Sequence, residues 1–107
     1  MITNWDTSAR RLLEELGLSG YFEQVVVSCE EGSEKPDPRI FQAALRRAGV
    51  AAGDCLYVGD NYYADAVGAR GVGMRALIVN RFGRLGVEEI ADQVFIRDVS
   101  EVVDYIR

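Results

Sequence analysis

Short apolar runs alternate with longer amphipathic segments along this chain. A short apolar run between turn residues is typical of a buried strand, whereas apolar positions three or four residues apart indicate a helix. On this basis strands are predicted at residues 2–4, 25–27, 55–58, 75–79 and 94–96, and helices at 7–16, 38–48, 62–69 and 99–106. The alternation predicts a Rossmann-like, three-layer α/β/α fold with a mostly parallel sheet.

The predicted helices begin and end at residues with known capping preferences. Asp6 or Thr7 caps the first helix. Asp37 caps the second, with Pro38 at its first position and Gly49 after its last. The side chains expected to face the core are Leu12, Leu13 and Leu16 in the first helix, Ile40, Phe41, Ala44, Leu45 and Ala48 in the second, and Val99, Val102, Val103 and Ile106 in the last.

Composition narrows the range of functions. The 107 residues suit one domain, predicted to span residues 1–107. A formal net charge of −5 makes nucleic acid an unfavourable partner, and no apolar run approaches the ~20 residues that span a bilayer. Because no signal peptide follows Met1, and because Cys29 and Cys55 lie in apolar, strand-like contexts, we expect a cytoplasmic protein with reduced core thiols. The absence of histidine excludes His-based catalytic triads.

A Gly-Asp step follows the third predicted strand, and a second aspartate comes after four further residues. Asp60 would stand at the carboxyl end of that strand, and Asp65 would lie about one turn into the next helix, facing the strand end. Two carboxylates that converge at this edge of a parallel sheet suit a hard cation such as Mg²⁺. Gly59 favours this interpretation because a small residue lets a ligand approach the backbone. The alternative is that both aspartates are solvated surface residues.

Lys35 precedes a helix start that contains two prolines, and this rigid backbone suits a positioned cation. The lysine could hold a phosphate group or orient a carboxylate, although a lone loop lysine is more often solvated. Thr3 and Asn4 end the first predicted strand, where a hydroxyl and an amide can donate hydrogen bonds to a phosphate oxygen. Capping of the following helix is the alternative role for these two residues.

The order of these motifs resembles the haloacid dehalogenase superfamily of phosphohydrolases, over essentially the whole chain. Thr3 is similar to the hydroxyl residue of the family's second motif, which binds the transferring phosphoryl group. Lys35 resembles the lysine of the third motif, which steadies the charge on nucleophile and phosphate. Asp60 and Asp65 resemble the acids of the fourth motif, which hold Mg²⁺. The resemblance thus implies catalytic roles for Thr3, Lys35 and Asp60, phosphate binding by Thr3, Asn4 and Lys35, and metal binding by Asp60 and Asp65.

The chain departs from this family in two respects. The family's first motif is an Asp-x-Asp whose first aspartate is the covalent nucleophile and whose second is the general acid/base, and no Asp-x-Asp occurs in the sequence. The helical cap of the phosphatase branch is missing as well. The resemblance therefore implies the C-terminal part of a Mg²⁺-dependent phosphatase core that lacks the first strand of its sheet and is poorly active alone. Its substrate would be a phosphorylated small molecule.

Two other functions remain open. A degenerate relative could bind phosphate or a partner without catalysis. A receiver-like domain also uses acids on a doubly wound sheet, but its paired acids after a first strand are not found here. The missing strand leads to a further expectation: either strands 2–4 and 55–58 pair directly, or a second copy of the chain or an N-terminal segment supplied in trans fills the gap.

Overall fold

The computed structural model describes residues 1–83 and 90–106. The chain forms two compact units, Met1–Ala51 and Ala52–Arg107. Each contains parallel strands and helices, which confirms the predicted α/β fold with mostly parallel pairing. A single domain over residues 1–107 stays a prediction, and each unit is described by itself. In the described part of the chain, no helix is both long and apolar enough to cross a bilayer.

The first unit is built on a two-stranded parallel sheet. In this sheet Ile2 lies opposite Val26 and Thr3 opposite Val27. The two valines are fully buried, and helix α3 (Pro38–Ala48) contacts both strands. The elements of this unit are β1 (Ile2–Thr3), α1 (Ala9–Glu15), a 3₁₀ turn (Ser19–Tyr21), β2 (Val26–Val27), α2 (Ser28–Glu31) and α3 (Pro38–Ala48).

Helix α3 matches its prediction at both ends. The Asp37 carboxylate accepts a hydrogen bond from the Arg39 backbone N–H at 2.9 Å, and Pro38 occupies the first helical position, where no N–H is needed. The Arg39 side chain also binds this carboxylate, at 2.8 Å, and these bonds hold the pKa of Asp37 below its usual range. Gly49 ends the helix at φ +67°, a conformation that glycine adopts without strain. The backbone after Lys35 is thus fixed by a well-capped helix.

Helix α1 is shorter than predicted and buries a narrower face. It starts later because the Asp6 carboxylate accepts hydrogen bonds from the backbone N–H and the hydroxyl of Ser8, at 2.8 and 2.5 Å, and so forms a turn ahead of the helix. Leu13 is buried, whereas Leu12 and Leu16 are 40% and 61% exposed. The prediction that the latter two face the core was wrong, since a seven-residue helix presents only a narrow stripe to its unit.

Two further expectations about buried side chains were wrong. On α3, Ala43 is buried and Ala48 is exposed, because an eleven-residue helix extends beyond the two-residue strands that it covers. Cys29 is exposed on α2 rather than buried in a strand, because β2 ends at Val27. Cys55 is half-buried, and both cysteines are free thiols.

The second unit contains a three-stranded parallel sheet with strand order β3-β4-β5. The middle strand carries the fully or almost fully buried Leu77 and Ile78. Two of the strands have their predicted bounds, and β3 begins and ends one residue later than predicted. The elements are a 3₁₀ turn (Ala52–Asp54), β3 (Leu56–Gly59), a π-helical segment (Tyr62–Val67) that continues into α4 (Gly68–Gly71), β4 (Arg75–Val79), β5 (Val94–Ile96) and a 3₁₀ helix (Val99–Tyr105).

The last helix differs from its prediction in type and in its exposed face. It begins at a capping box on Asp98 and follows 3₁₀ geometry. Val99, Val103 and Ile106 are 63%, 69% and 61% exposed, so their predicted inward orientation was wrong. Val102 is half-buried. The error arises because a 3₁₀ helix has three residues per turn, whereas the predicted apolar stripe assumed 3.6.

The described strands form two sheets. β1 belongs to the two-stranded sheet and β3 to the three-stranded sheet. Direct pairing of these two strands stays a prediction. The alternative, a strand from a second copy or from an N-terminal segment supplied in trans, stays a prediction as well.

Candidate functional site

The turn that follows β3 is held by side chains of its own sequence. β3 ends at Gly59, and Asp60 and Asn61 lead into the π-helical segment. The Asn61 carboxamide oxygen accepts a hydrogen bond from the Ala64 N–H at 2.9 Å and so caps that segment. Asp60 therefore stands at the carboxyl end of β3 and is exposed.

Asp65 is a buried carboxylate that binds this turn from within. It is only 3% exposed. Its Oδ2 atom accepts hydrogen bonds from the backbone N–H groups of Asp60 and Asn61, at 3.1 and 3.0 Å. Its Oδ1 atom accepts a hydrogen bond from the Tyr57 hydroxyl at 3.3 Å. Bonds to an ionised acceptor are stronger than neutral ones, so these donors compensate for the burial of the charge.

Gly59 is required by the position of Asp65. A β-carbon at residue 59 would lie 2.3 Å from both Cγ and Oδ2 of Asp65, far inside contact distance. The need for glycine here is steric, because φ of this residue is not in the left-handed region. The space that a side chain at residue 59 would take is filled by Asp65, and approach of a ligand to this backbone stays a prediction.

The sequence did not predict that Tyr57 takes part in these contacts with Asp65. Burial, and then the negative charge of Asp65, raise the pKa of the Tyr57 hydroxyl well above its usual range. The hydroxyl therefore stays protonated and keeps donating to Asp65 across the physiological pH range. A tyrosine within an otherwise apolar strand, two residues before the Gly-Asp step, was the available signal.

The two predicted Mg²⁺ ligands, Asp60 and Asp65, differ in the contacts that their carboxylates make. In the described part of the chain, no residue makes a hydrogen bond or ion pair with the Asp60 carboxylate, so this hard oxygen donor fits Mg²⁺. The Asp65 oxygens already accept three hydrogen bonds, and direct ligation by Asp65 stays a prediction. Among the described residues, no three Asp, Glu, His or Cys side chains are grouped to hold a metal. Asp60 would thus need further ligands from water, substrate or another segment.

Of the predicted phosphate-binding residues, Asn4 and Lys35 are held together. The Lys35 backbone N–H donates to Asn4 Oδ1 at 2.8 Å, and Asn4 Nδ2 donates to the Lys35 carbonyl at 3.1 Å. Thr3 is the last residue of β1 and is half-buried, as is Lys35. The Asn4 carboxamide therefore fixes the loop that carries Lys35 to the carboxyl end of β1. Phosphate binding by the three residues stays a prediction.

An open cavity of about 520 Å³ adjoins Asn4 in the first unit. It lies where β1 and β2 end, and Ser28 joins the two ends: its hydroxyl accepts from the Trp5 N–H at 2.9 Å and donates to the Trp5 carbonyl at 3.0 Å. The Ser28 and Trp5 contacts were not predicted. The cavity is lined by Asn4, Trp5, Asp6, Ser28, Cys29, Gly32, Ser33 and Glu34.

The site residues thus form two groups, one in each unit. Thr3, Asn4 and Lys35 belong to the first unit, and Asp60 and Asp65 to the second. In both units the polar residues lie at or after the carboxyl ends of parallel strands, the edge at which ligands bind in open α/β sheets.

Comparison with known proteins identifies the class that this fold and these motifs define. Residues 1–73 match the family model of haloacid dehalogenase-like hydrolases. The chain belongs to this family. Its parallel α/β units and the order of its polar motifs agree with that assignment.

Three relatives show the extent of the likeness. The chain is 44% identical over 79 residues to human haloacid dehalogenase-like hydrolase domain-containing protein 3, covering 74% of this chain and 32% of that protein. It is 41% identical over 93 residues to the phosphoserine phosphatase of Thermus thermophilus, covering 87% of this chain and 37% of that enzyme. The magnesium-bound structure of the Bacillus subtilis HAD-hydrolase YfnB superposes with a TM-score of 0.86 at 26% identity. The superposition covers 99% of this chain and 47% of YfnB. The chain thus spans about a third of the length of these curated relatives.

Proposed function

We propose that this chain is the phosphate- and Mg²⁺-binding part of a phosphohydrolase core that acts on a phosphorylated small molecule in the cytoplasm. The observation that carries the proposal is the turn after β3. There, a buried Asp65 binds the two backbone N–H groups that precede the π-helical segment, and the Asp60 carboxylate is left exposed and without a partner among the described residues. The names of curated relatives, phosphoserine phosphatase among them, support a phosphate ester as the substrate class.

Each predicted residue has a role in this proposal. Thr3 would donate a hydrogen bond to a phosphoryl oxygen, and Lys35 would neutralise the charge that builds up there. Asn4 would orient the Lys35 loop through its two backbone contacts. Asp60 would hold Mg²⁺, with Asp65 completing the metal-binding turn. The ion would supply positive charge to a bound phosphate, as the family resemblance implies and as magnesium in the YfnB structure supports.

Mg²⁺ binding should be weak and should depend on Asp60. The reason is that one exposed carboxylate supplies few ligands, and neutralising it removes the main charge. In calorimetric titration, Asp60→Asn should lower the Mg²⁺ affinity at least about tenfold. The matched control is Asp54→Asn, on an exposed residue of the same unit, which should titrate like the wild type. Identical heats for the wild type and Asp60→Asn would contradict the proposal.

The chain by itself should not turn over p-nitrophenyl phosphate at a useful rate. The sequence contains no Asp-x-Asp, so no residue takes the place of the nucleophile that the family resemblance requires. Lys35 and Thr3 alone can only polarise a bound phosphate. The measurement is p-nitrophenol release by the purified chain with Mg²⁺. Turnover that disappears in Asp60→Asn would show that a nucleophile is present after all.

The absence of an Asp-x-Asp also keeps a second function open, a non-catalytic domain that binds phosphate or a partner. The two functions differ in what a supplied strand would do. In the described sheets β1 pairs with β2 and β3 pairs with β4. For the phosphohydrolase we propose that a strand supplied by an N-terminal segment in trans, or by a second copy, restores activity; a chain whose fold and activity are indifferent to that strand would favour the non-catalytic domain.

A further inference from the structure

We propose that Tyr57 is a positioning residue for the metal-binding turn. Its hydroxyl holds the Asp65 carboxylate, and this carboxylate holds the backbone N–H groups of Asp60 and Asn61. These contacts connect the Tyr57 side chain on β3, through the buried Asp65 carboxylate, to the backbone of the exposed Asp60. The inference rests on the proposed function in so far as Asp60 is taken to bind Mg²⁺.

The placement follows from strand geometry. Tyr57 and Gly59 are two residues apart on β3, so they face the same side of the sheet. Gly59 has no side chain there, and Asp65 occupies the space directly beside it. Tyr57, one position back along the same face, is long enough for its hydroxyl to reach Asp65 Oδ1 at 3.3 Å. The glycine admits the carboxylate, and the tyrosine fixes its orientation.

The contacts also explain why this role belongs to Tyr57 and Asp65 together. Asp65 is 3% exposed, and each of its oxygens already accepts at least one hydrogen bond from the protein. Such a carboxylate acts on the metal site through the backbone that it holds. Because the phenol donates to Oδ1, its removal takes one hydrogen bond from a buried anion and lets the Oδ2 contacts relax. The direction of Asp60 then becomes less well defined.

The test combines a metal-free and a metal-dependent readout on Tyr57→Phe. Without Mg²⁺, the amide ¹H–¹⁵N signals of Asp60 and Asn61 should shift, because the strength of their bonds to Asp65 changes. With Mg²⁺, calorimetry should give an affinity lowered about tenfold, the lower end of what loss of an outer hydrogen bond costs a metal site. The matched control is Tyr63→Phe, since Tyr63 is 66% exposed on the next segment; it should change neither readout.

A second variant distinguishes the loss of this contact from a general folding defect in Tyr57→Phe. Asp65→Asn keeps the side-chain shape and removes the charge, and it should shift the same two amide signals. Unshifted Asp60 and Asn61 signals in Tyr57→Phe would overturn the inference whatever the metal does. Shifted signals with wild-type Mg²⁺ affinity would overturn it too, while leaving the proposed function intact. If the wild type binds no Mg²⁺, the proposed metal site and the metal-positioning role both fail.

Discussion

Gly59→Ala should lower the free energy of unfolding by about 3 kcal/mol or more, a large effect for one methyl group. The new β-carbon would lie 2.3 Å from the Asp65 carboxylate, so the carboxylate must move. It cannot move freely, because it is buried and accepts hydrogen bonds from two backbone N–H groups and a tyrosine hydroxyl. The cost is that of a buried anion whose hydrogen bonds are broken.

Urea unfolding followed by circular dichroism measures this effect, and Gly71→Ala is the matched control. Gly71 belongs to the same unit, a β-carbon there meets nothing within 4 Å, and φ is not positive. A double-variant cycle isolates the cause: in an Asp65→Ala background, Gly59→Ala should cost much less, since its clash partner is gone. A loss below about 1 kcal/mol in the wild-type background, or equal losses in both backgrounds, would refute the steric account.

A hybrid enzyme should show the second large effect. In it, this chain replaces the matching segment of the Thermus thermophilus phosphoserine phosphatase, to which it is 41% identical over 93 residues. The remainder of that enzyme would supply the parts for which this chain has no counterpart. If Lys35 and Asp60 have the proposed roles, removing either charge should lower kcat by about 100-fold or more, the usual loss when one group that stabilises transition-state charge is deleted.

Local signals in the sequence predicted much of this fold. The cap at Asp37, the proline after it and the glycine at 49 placed α3 within its observed bounds, because each acts through its own backbone geometry. β4 and β5 were likewise predicted with their observed bounds, since short apolar runs between turn residues have few alternatives. Assignment of the fold class followed from the alternation of these elements.

What the sequence did not predict depends on contacts between residues distant along the chain or on helix type. Val99, Val103 and Ile106 fit an α-helical stripe, but the segment folds as a 3₁₀ helix and exposes them. In the candidate site, the Gly-Asp step and the second aspartate were found by spacing alone. Spacing placed Asp65 facing the strand end, but it did not indicate that the carboxylate binds backbone N–H groups there or that the Tyr57 hydroxyl donates to it. These contacts form only when the turn has folded.

Hydrolysis of phosphoserine by the hybrid tests most directly whether this chain carries the phosphate- and metal-binding groups of a phosphohydrolase. Four substitutions are compared in the folded hybrid, with folding checked by circular dichroism: Lys35→Met and Asp60→Asn, and the controls Arg46→Met and Asp54→Asn on exposed residues. We expect an active hybrid that loses about 100-fold or more in kcat with each of the first two and stays within about twofold with the controls. A folded hybrid without activity, or one indifferent to Lys35→Met and Asp60→Asn, would contradict the proposed function.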